Sequence, residues 1–230
     1  MKPTTLPEAL AEICAMDASL SARLAAYARA MRELKSPFAD EYDRLVARLR
    51  LGGVGAAAPD VGEFMPSFLL PDAAGRLVGL EQLLARGPAV VSFNRGHWCP
   101  FCKIELAALA DAHSDFAELD AEVVSIMPER QQFTSAVEAR LSGRIRILTD
   151  IDNGYALLLG LTMWVGEPIR GLMAERDLRL DAYQGNDAWF LPLPATFVIG
   201  RDGRVKARFV DPNFRNRMEI PDILRALRSP

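Results

Sequence analysis

Cysteine is scarce in this chain: three residues among 230, an odd number, with Cys99 and Cys102 in a C-x-x-C spacing and Cys14 far from both. That count argues against a secreted disulfide scaffold and fits a reducing compartment with one reactive pair. Histidine is scarcer still, at two residues. A zinc site on the C-x-x-C would need two more ligands from His97, His113 and Cys14, so no metal is expected. No run approaches the roughly 18 apolar residues of a membrane span, and the segment from Met1 to Glu8 has no charged leader followed by an apolar stretch. A cytoplasmic protein without membrane contact is the expectation. Basic excess is also missing: the net charge of −3 offers no broad cationic face for nucleic acid. No G-x-G-x-x-G or phosphate loop sits between a strand and a helix, so no cofactor is expected. What remains is half apolar, enough for a substantial core.

Against that background the segment Trp98-Cys99-Pro100-Phe101-Cys102-Lys103 carries most of the information. The β-branched run Pro88 to Phe93 reads as a buried strand, and Lys103 to Phe116 has apolar residues at helical spacing. The pair therefore opens a helix, where unpaired N–H groups and the positive end of the helix dipole favour thiolate over thiol. Cys99 is expected to be the acidic thiol and attacking group, with Cys102 one turn on as the resolving thiol. Pro100 suits the first helical position. Arg95, His97 and Lys103 add positive potential; His97 is either a proton-handling residue or an exposed one. Trp98 reads as a functional surface next to the disulfide, Cys14 as a small buried apolar residue and His113 as plain helix surface.

Along the chain, residues from about 6 to 51 repeat apolar positions every three or four and read as two or three helices broken near Pro37. The Gly- and Ala-rich stretch 52–58 reads as a flexible linker, giving a helical extension (1–51), a linker (52–58) and a main domain (59–230). The extension is expected to serve packing or homodimerisation. In the main domain a hairpin at 67–78 and a short helix at 80–85 lead to strand 88–94, helix 100–117, strand 122–126, helix 130–141 and strand 144–148. A short helix at 153–159, a hairpin of strands 195–199 and 205–210, and a helix at 221–227 close the chain. Alternating strands and helices imply an α/β fold with a largely parallel centre. Residues 161–190 receive no assignment.

From about Pro59 onward the chain resembles the peroxiredoxin-like branch of the alkyl hydroperoxide reductase and thiol-specific antioxidant (AhpC/TSA) proteins. The residues that carry the likeness are Met65 to Leu70 with Asp72 and Gly75, Val91 to Cys102, and Leu191 to Ile199. The resemblance implies a thioredoxin-like fold, a central mixed β-sheet flanked by helices, with Pro194 in a cis-proline loop facing the C-x-x-C. It implies a hydroperoxide substrate, a sulfenic acid on Cys99 condensed by Cys102, and recycling by an external thiol such as a thioredoxin or glutathione system. The departures matter too. Gly96 stands where typical members carry Thr or Ser, and Pro194 where they carry an Arg that Arg95 or the Arg215–Arg217 stretch would have to replace. Phe93 stands where thioredoxins have a buried Asp, removing the usual proton acceptor. A dithiol–disulfide oxidoreductase and a redox-responsive binding protein remain as alternatives.

Overall fold

A computed structural model describes residues 3–229; Met1, Lys2 and Pro230, which end the expected segments, lie outside the described residues. The N-terminal part forms three helices, α1 (Leu6–Cys14), α2 (Leu20–Glu33) and α3 (Phe38–Leu51). Local chemistry accounts for their starts. The Thr5 hydroxyl accepts from Glu8 N–H while the Glu8 carboxylate accepts from Thr5 N–H, a reciprocal cap, and the Ser19 hydroxyl accepts from Ala22 N–H. Pro37 precedes α3 and holds the bend between α2 and α3.

The remainder contains β1 (Leu69–Pro71), β2 (Leu77–Gly79), α4 (Leu80–Leu84), β3 (Ala89–Phe93), α5 (Pro100–Asp111), α6 (His113–Ala117), β4 (Glu122–Met127), α7 (Gln131–Arg140) and β5 (Arg146–Thr149). After these come α8 (Gly154–Leu158), β6 (Thr162–Trp164), α9 (Glu167–Ala174), α10 (Leu180–Gln184), β7 (Phe190–Pro192), β8 (Ala195–Ile199), β9 (Val205–Val210) and α11 (Ile220–Arg228). The main sheet has the order β5-β4-β3-β8-β9, parallel across β3–β4 and β4–β5 and antiparallel across β3–β8 and β8–β9. It is the expected α/β arrangement, a mixed sheet flanked by helices. Every residue of central β3 is buried, as a continuous apolar run between two neighbours requires.

Three local expectations need correction. The helix drawn over 100–117 breaks at Ala112 into α5 and α6. The 52–58 stretch is held rather than free: Gly55 (φ +87°) donates its N–H to Gly160 O at 3.0 Å, and a Cβ there would lie 2.5 Å from Val210 Cγ1. The Leu193–Pro194 bond is trans, as are all peptide bonds among the described residues. Two residues link β7 to β8, and Leu193 N–H continues the pairing by donating to Leu161 O, so no tight turn exists for a cis bond to make. Residues 161–190 supply β6, α9, α10 and β7, with Trp164 paired to Phe190.

The helical extension packs on its own chain. α1 and α2 lie against α5, and their buried residues join one core with β3, α5 and β8. Tyr27 of α2 meets the Phe101 ring edge-on at 5.3 Å, while Tyr42 of α3 meets Phe101 at 6.5 Å and Phe214 at 5.1 Å. The N-terminal helices are therefore a cover over the start of α5. Among the described residues no helix is long and apolar enough to cross a membrane.

Candidate active site

The loop from β3 to α5 carries the sequence motif, and helix geometry fixes its parts. Cys99 is the N-cap of α5, its Sγ accepting from Cys102 N–H at 3.4 Å, and Pro100 occupies the first helical turn. Cys99 and Cys102 are free thiols with no solvent-exposed surface. Cys102 Sγ lies 3.4 Å from Arg95 N–H. Pro194 precedes Ala195, which pairs with Phe93, so it sits at the end of β3 from which this loop leaves.

Arg95 is the dominant charge. It is 1 % exposed, its Nη2 donates to Cys99 Sγ at 3.1 Å, and its guanidinium lies over the rings of Phe214 (4.1 Å), Trp98 (5.3 Å) and Tyr42 (5.5 Å). It has no carboxylate partner among the described residues. A buried cation needs a counter-charge, and Cys99 Sγ is the group placed to supply it as a thiolate. Burial opposes ionisation of Cys99, but the hydrogen bond from Cys102 and the charges of Arg95 and Arg217 outweigh it, holding the thiol well below its ordinary range. Burial, then the thiol and charge of Cys99, push Cys102 well above that range. For Arg95, burial works against the charge, and Cys99 foremost, with Tyr42 and Cys102, more than restores it, so its pKa is raised.

A second buried pair lies beneath. Glu105, 3 % exposed, faces Arg217, 4 % exposed, with Nε to Oε2 at 2.6 Å. Ser92 Oγ donates to the other carboxylate oxygen at 3.0 Å, and Thr196 Oγ1 lies 3.4 Å from it. Arg217 also points Nη2 at Cys102 Sγ, 3.7 Å away, and donates to Phe214 O. Burial raises the Glu105 pKa, and Arg217 and Ser92 pull the other way. Phe93 leaves no acid on β3, as expected; the buried acid of this region comes from helix α5 and is bonded to Arg217 and Ser92. Sequence reading passed over Glu105, although a lone acid inside the apolar run Ile104 to Ala110 was a usable sign.

The other expected residues separate. His97 Nδ1 lies 2.7 Å from Oε1 of Glu129, whose other oxygen accepts from His97 N–H at 2.7 Å, and the imidazole stacks on Phe133 at 5.0 Å. Trp98 is half-buried, and among the described residues neither its Nε1–H nor Arg95 Nε has a partner. Cys14 is half-buried on α1 and His113 exposed on α6. Arg215 is turned away, bonded to Asp43 Oδ1 at 2.7 Å and Asn213 Oδ1 at 2.8 Å. Gly96 has φ +139°, and a Cβ there would lie 2.6 Å from Glu129 Oε1, which explains why no Thr stands at this position. Among the described residues no three His, Cys, Asp or Glu side chains gather as a metal-holding group.

Fold and site together define a thioredoxin-like α/β protein with a dithiol at a helix start beside a buried arginine. The chain belongs to the AhpC/TSA family, whose profile matches residues 61–208. In fold it is similar to the peroxidoxin BcpB from Mycobacterium tuberculosis (TM-score 0.58, 22 % identity, 74 % of this chain and 97 % of that one). It is also similar to a cysteine-to-serine mutant of the peroxiredoxin 6 of Arenicola marina (TM-score 0.56, 17 % identity, 73 % and 71 %). A yeast mitochondrial 1-Cys peroxiredoxin gives a TM-score of 0.55 at 16 % identity, covering 73 % and 74 %. No curated protein matches the chain. The family assignment makes it a thiol-based, peroxiredoxin-like oxidoreductase.

Proposed function

We propose that the protein reduces hydroperoxides at Cys99, with Cys102 as resolving thiol and an external thiol system as reductant. The observation that carries this reading is the burial of Arg95 with its Nη2 on Cys99 Sγ, beside two donors, Arg95 Nε and Trp98 Nε1, that have no partner among the described residues. Buried donors without partners are costly unless something fills them, and the oxygens of a small peroxide can. Trp98 would then do what the absent Thr hydroxyl does elsewhere in the family. Full burial of Cys99 favours a small oxidant over a protein disulfide, which would have to displace the helical cover to reach the sulfur.

The thiolate attacks the distal peroxide oxygen, the O–O bond breaks, Cys99 becomes a sulfenic acid, and the departing alkoxide takes up a proton to leave as alcohol. That step removes the negative charge that kept Cys102 protonated, while Arg217 remains. Cys102 then ionises readily and attacks Cys99, its proton leaving with the hydroxyl as water. Two external thiol groups reduce the resulting disulfide and become a disulfide themselves. In this reading residues 59–230 are the catalytic domain and residues 1–51 its cover.

Stopped-flow tryptophan fluorescence with intact-mass analysis tests the reading, because Trp98 adjoins the sulfur. The expected result is fast loss of two hydrogens with hydrogen peroxide, a trapped sulfenic acid in Cys102→Ser and no turnover in Cys99→Ser. Oxidation no faster than that of a free thiol, with rapid exchange on a disulfide substrate, would make the protein a dithiol oxidoreductase.

A further inference from the structure

A cleft of about 590 Å³ opens between α1, α5 and α7, within the size range of small-molecule sites; the residues flanking the C-x-x-C line it, while the two buried cysteines do not. Gly96 and His97, from the loop that carries Cys99, form part of its lining. Its walls are mainly apolar, with Leu10, Leu106, Val137 and Leu141 among them. Its charges are lopsided: Lys103, Arg140 and Arg144 against Asp111, whose Oδ2 lies 3.6 Å from Arg23 Nη1. None of the three basic side chains has a carboxylate within ion-pair distance among the described residues, in a protein whose net charge is −3. Clustering cations without counter-ions is unfavourable, and Lys103 registers it: burial, then the charge of Arg140, lower its pKa. An anion with an apolar body satisfies both features at once, the walls by burial and the basic groups by charge.

We propose that this cleft binds an amphipathic organic anion, a single carboxylate on a medium-length alkyl body, and so favours carboxylate-bearing hydroperoxides as substrates of the adjoining Cys99. Ligand binding stands on the cleft alone, whereas naming the ligand as substrate rests on the peroxidase reading. A polar thiol with several charges, such as a tripeptide reductant, suits the apolar walls less well.

The test is titration of the reduced full-length protein with decanoate, below its micelle concentration, followed by calorimetry. Saturable 1:1 binding is expected, at least tenfold tighter than 1-decanol and about fifteenfold tighter than octanoate, which lacks two methylenes that the apolar wall buries. Arg140→Gln/Arg144→Gln, two exposed positions that the fold does not depend on, should weaken decanoate about tenfold. The same variant should lower the rate of Cys99 oxidation by a carboxylate-bearing alkyl hydroperoxide relative to that by tert-butyl hydroperoxide. Equal affinity for decanoate and 1-decanol, unchanged binding in the double variant, or no saturable binding overturns the site, even if hydrogen peroxide oxidises Cys99 rapidly. Binding as expected in a protein that no hydroperoxide oxidises overturns the substrate assignment and the peroxidase reading, and supports the ligand site.

Discussion

Replacing Arg95 by Met keeps most of the side-chain length against Phe214 and Trp98 and removes only the charge and the donors. The Nη2 to Sγ distance is 3.1 Å and both groups are buried, so screening by water is slight. At an effective dielectric near 20, unit charges about 4 Å apart attract by roughly 4 kcal/mol; that is the ceiling, about a thousandfold. A nearby cation commonly moves an acid by about one to three units, so the Cys99 thiolate population at a pH below its midpoint should fall by about tenfold to a thousandfold. The hydrogen bond from Cys102 and the charge of Arg217 remain and keep the effect finite. Thiolate absorbance and alkylation rate against pH, in a Cys14→Ser background, measure it. Stability should follow. The folded protein holds Cys99 ionised where the unfolded chain binds a proton, so this contribution is complete above the ordinary thiol value of about 8.5 and is lost as pH falls through the folded midpoint. Arg95→Met should flatten that slope in chemical denaturation. A midpoint and alkylation rate unmoved by the substitution would refute the assignment of the thiolate as Arg95's counter-ion.

Glu105→Gln keeps the shape but leaves Arg217 buried without its anion; a loss of about 3 kcal/mol in the denaturation of reduced protein is expected, and a loss below about 1 kcal/mol would show that Glu105 is neutral there. Gly96→Thr, which restores the hydroxyl typical of the family, should lower stability by about 1–3 kcal/mol without raising the peroxide rate, because φ is +139° and Glu129 occupies the space; faster oxidation at an undiminished melting temperature would contradict this. Oxidation to the Cys99–Cys102 disulfide should raise hydrogen exchange in α2 and α3 by about tenfold. Equal protection in the two redox states would argue against coupling between the dithiol and its cover.

Much of this was legible because it is local. The buried strands β3, β4 and β8 announce themselves as β-branched apolar runs, and Cys99, Pro100 and Cys102 follow from helix-start chemistry within four residues. Residues 161–190 were opaque because β6 and β7 are three residues each and α10 is five, too short for any periodicity to register. The break at Ala112 has neither Gly nor Pro to mark it. The site's remaining parts were hidden by distance in sequence: Arg217 meets Cys102 across 115 positions, and Tyr27 and Tyr42 reach Phe101 from helices that read only as amphipathic. His97 was drawn toward the thiols by adjacency, yet its hydrogen bonds go to Glu129.

Charge balance joins these pieces into one sequence of events. The buried site pairs Arg95 with Cys99 and Arg217 with Glu105, so with Cys99 as thiolate and Glu105 as carboxylate each cation has an anion. In the proposed cycle, oxidation by a hydroperoxide would remove one anion without moving either cation. The least costly local response would be ionisation of Cys102, which lies within reach of donors from both arginines, and in that cycle it would be the step that forms the disulfide. With a disulfide formed no second thiolate would be available, and Arg95 would stay buried against the rings of Phe214, Trp98 and Tyr42 with no counter-ion among the described residues. A buried unpaired charge costs several kcal/mol, far more than aromatic contacts return. The relief open to Arg95 is water, which means loosening Tyr42 and the helix that carries it. The same loosening would uncover the disulfide for a reductant too large to enter the reduced site, so closure suits attack on a small peroxide and opening suits recycling by a thiol.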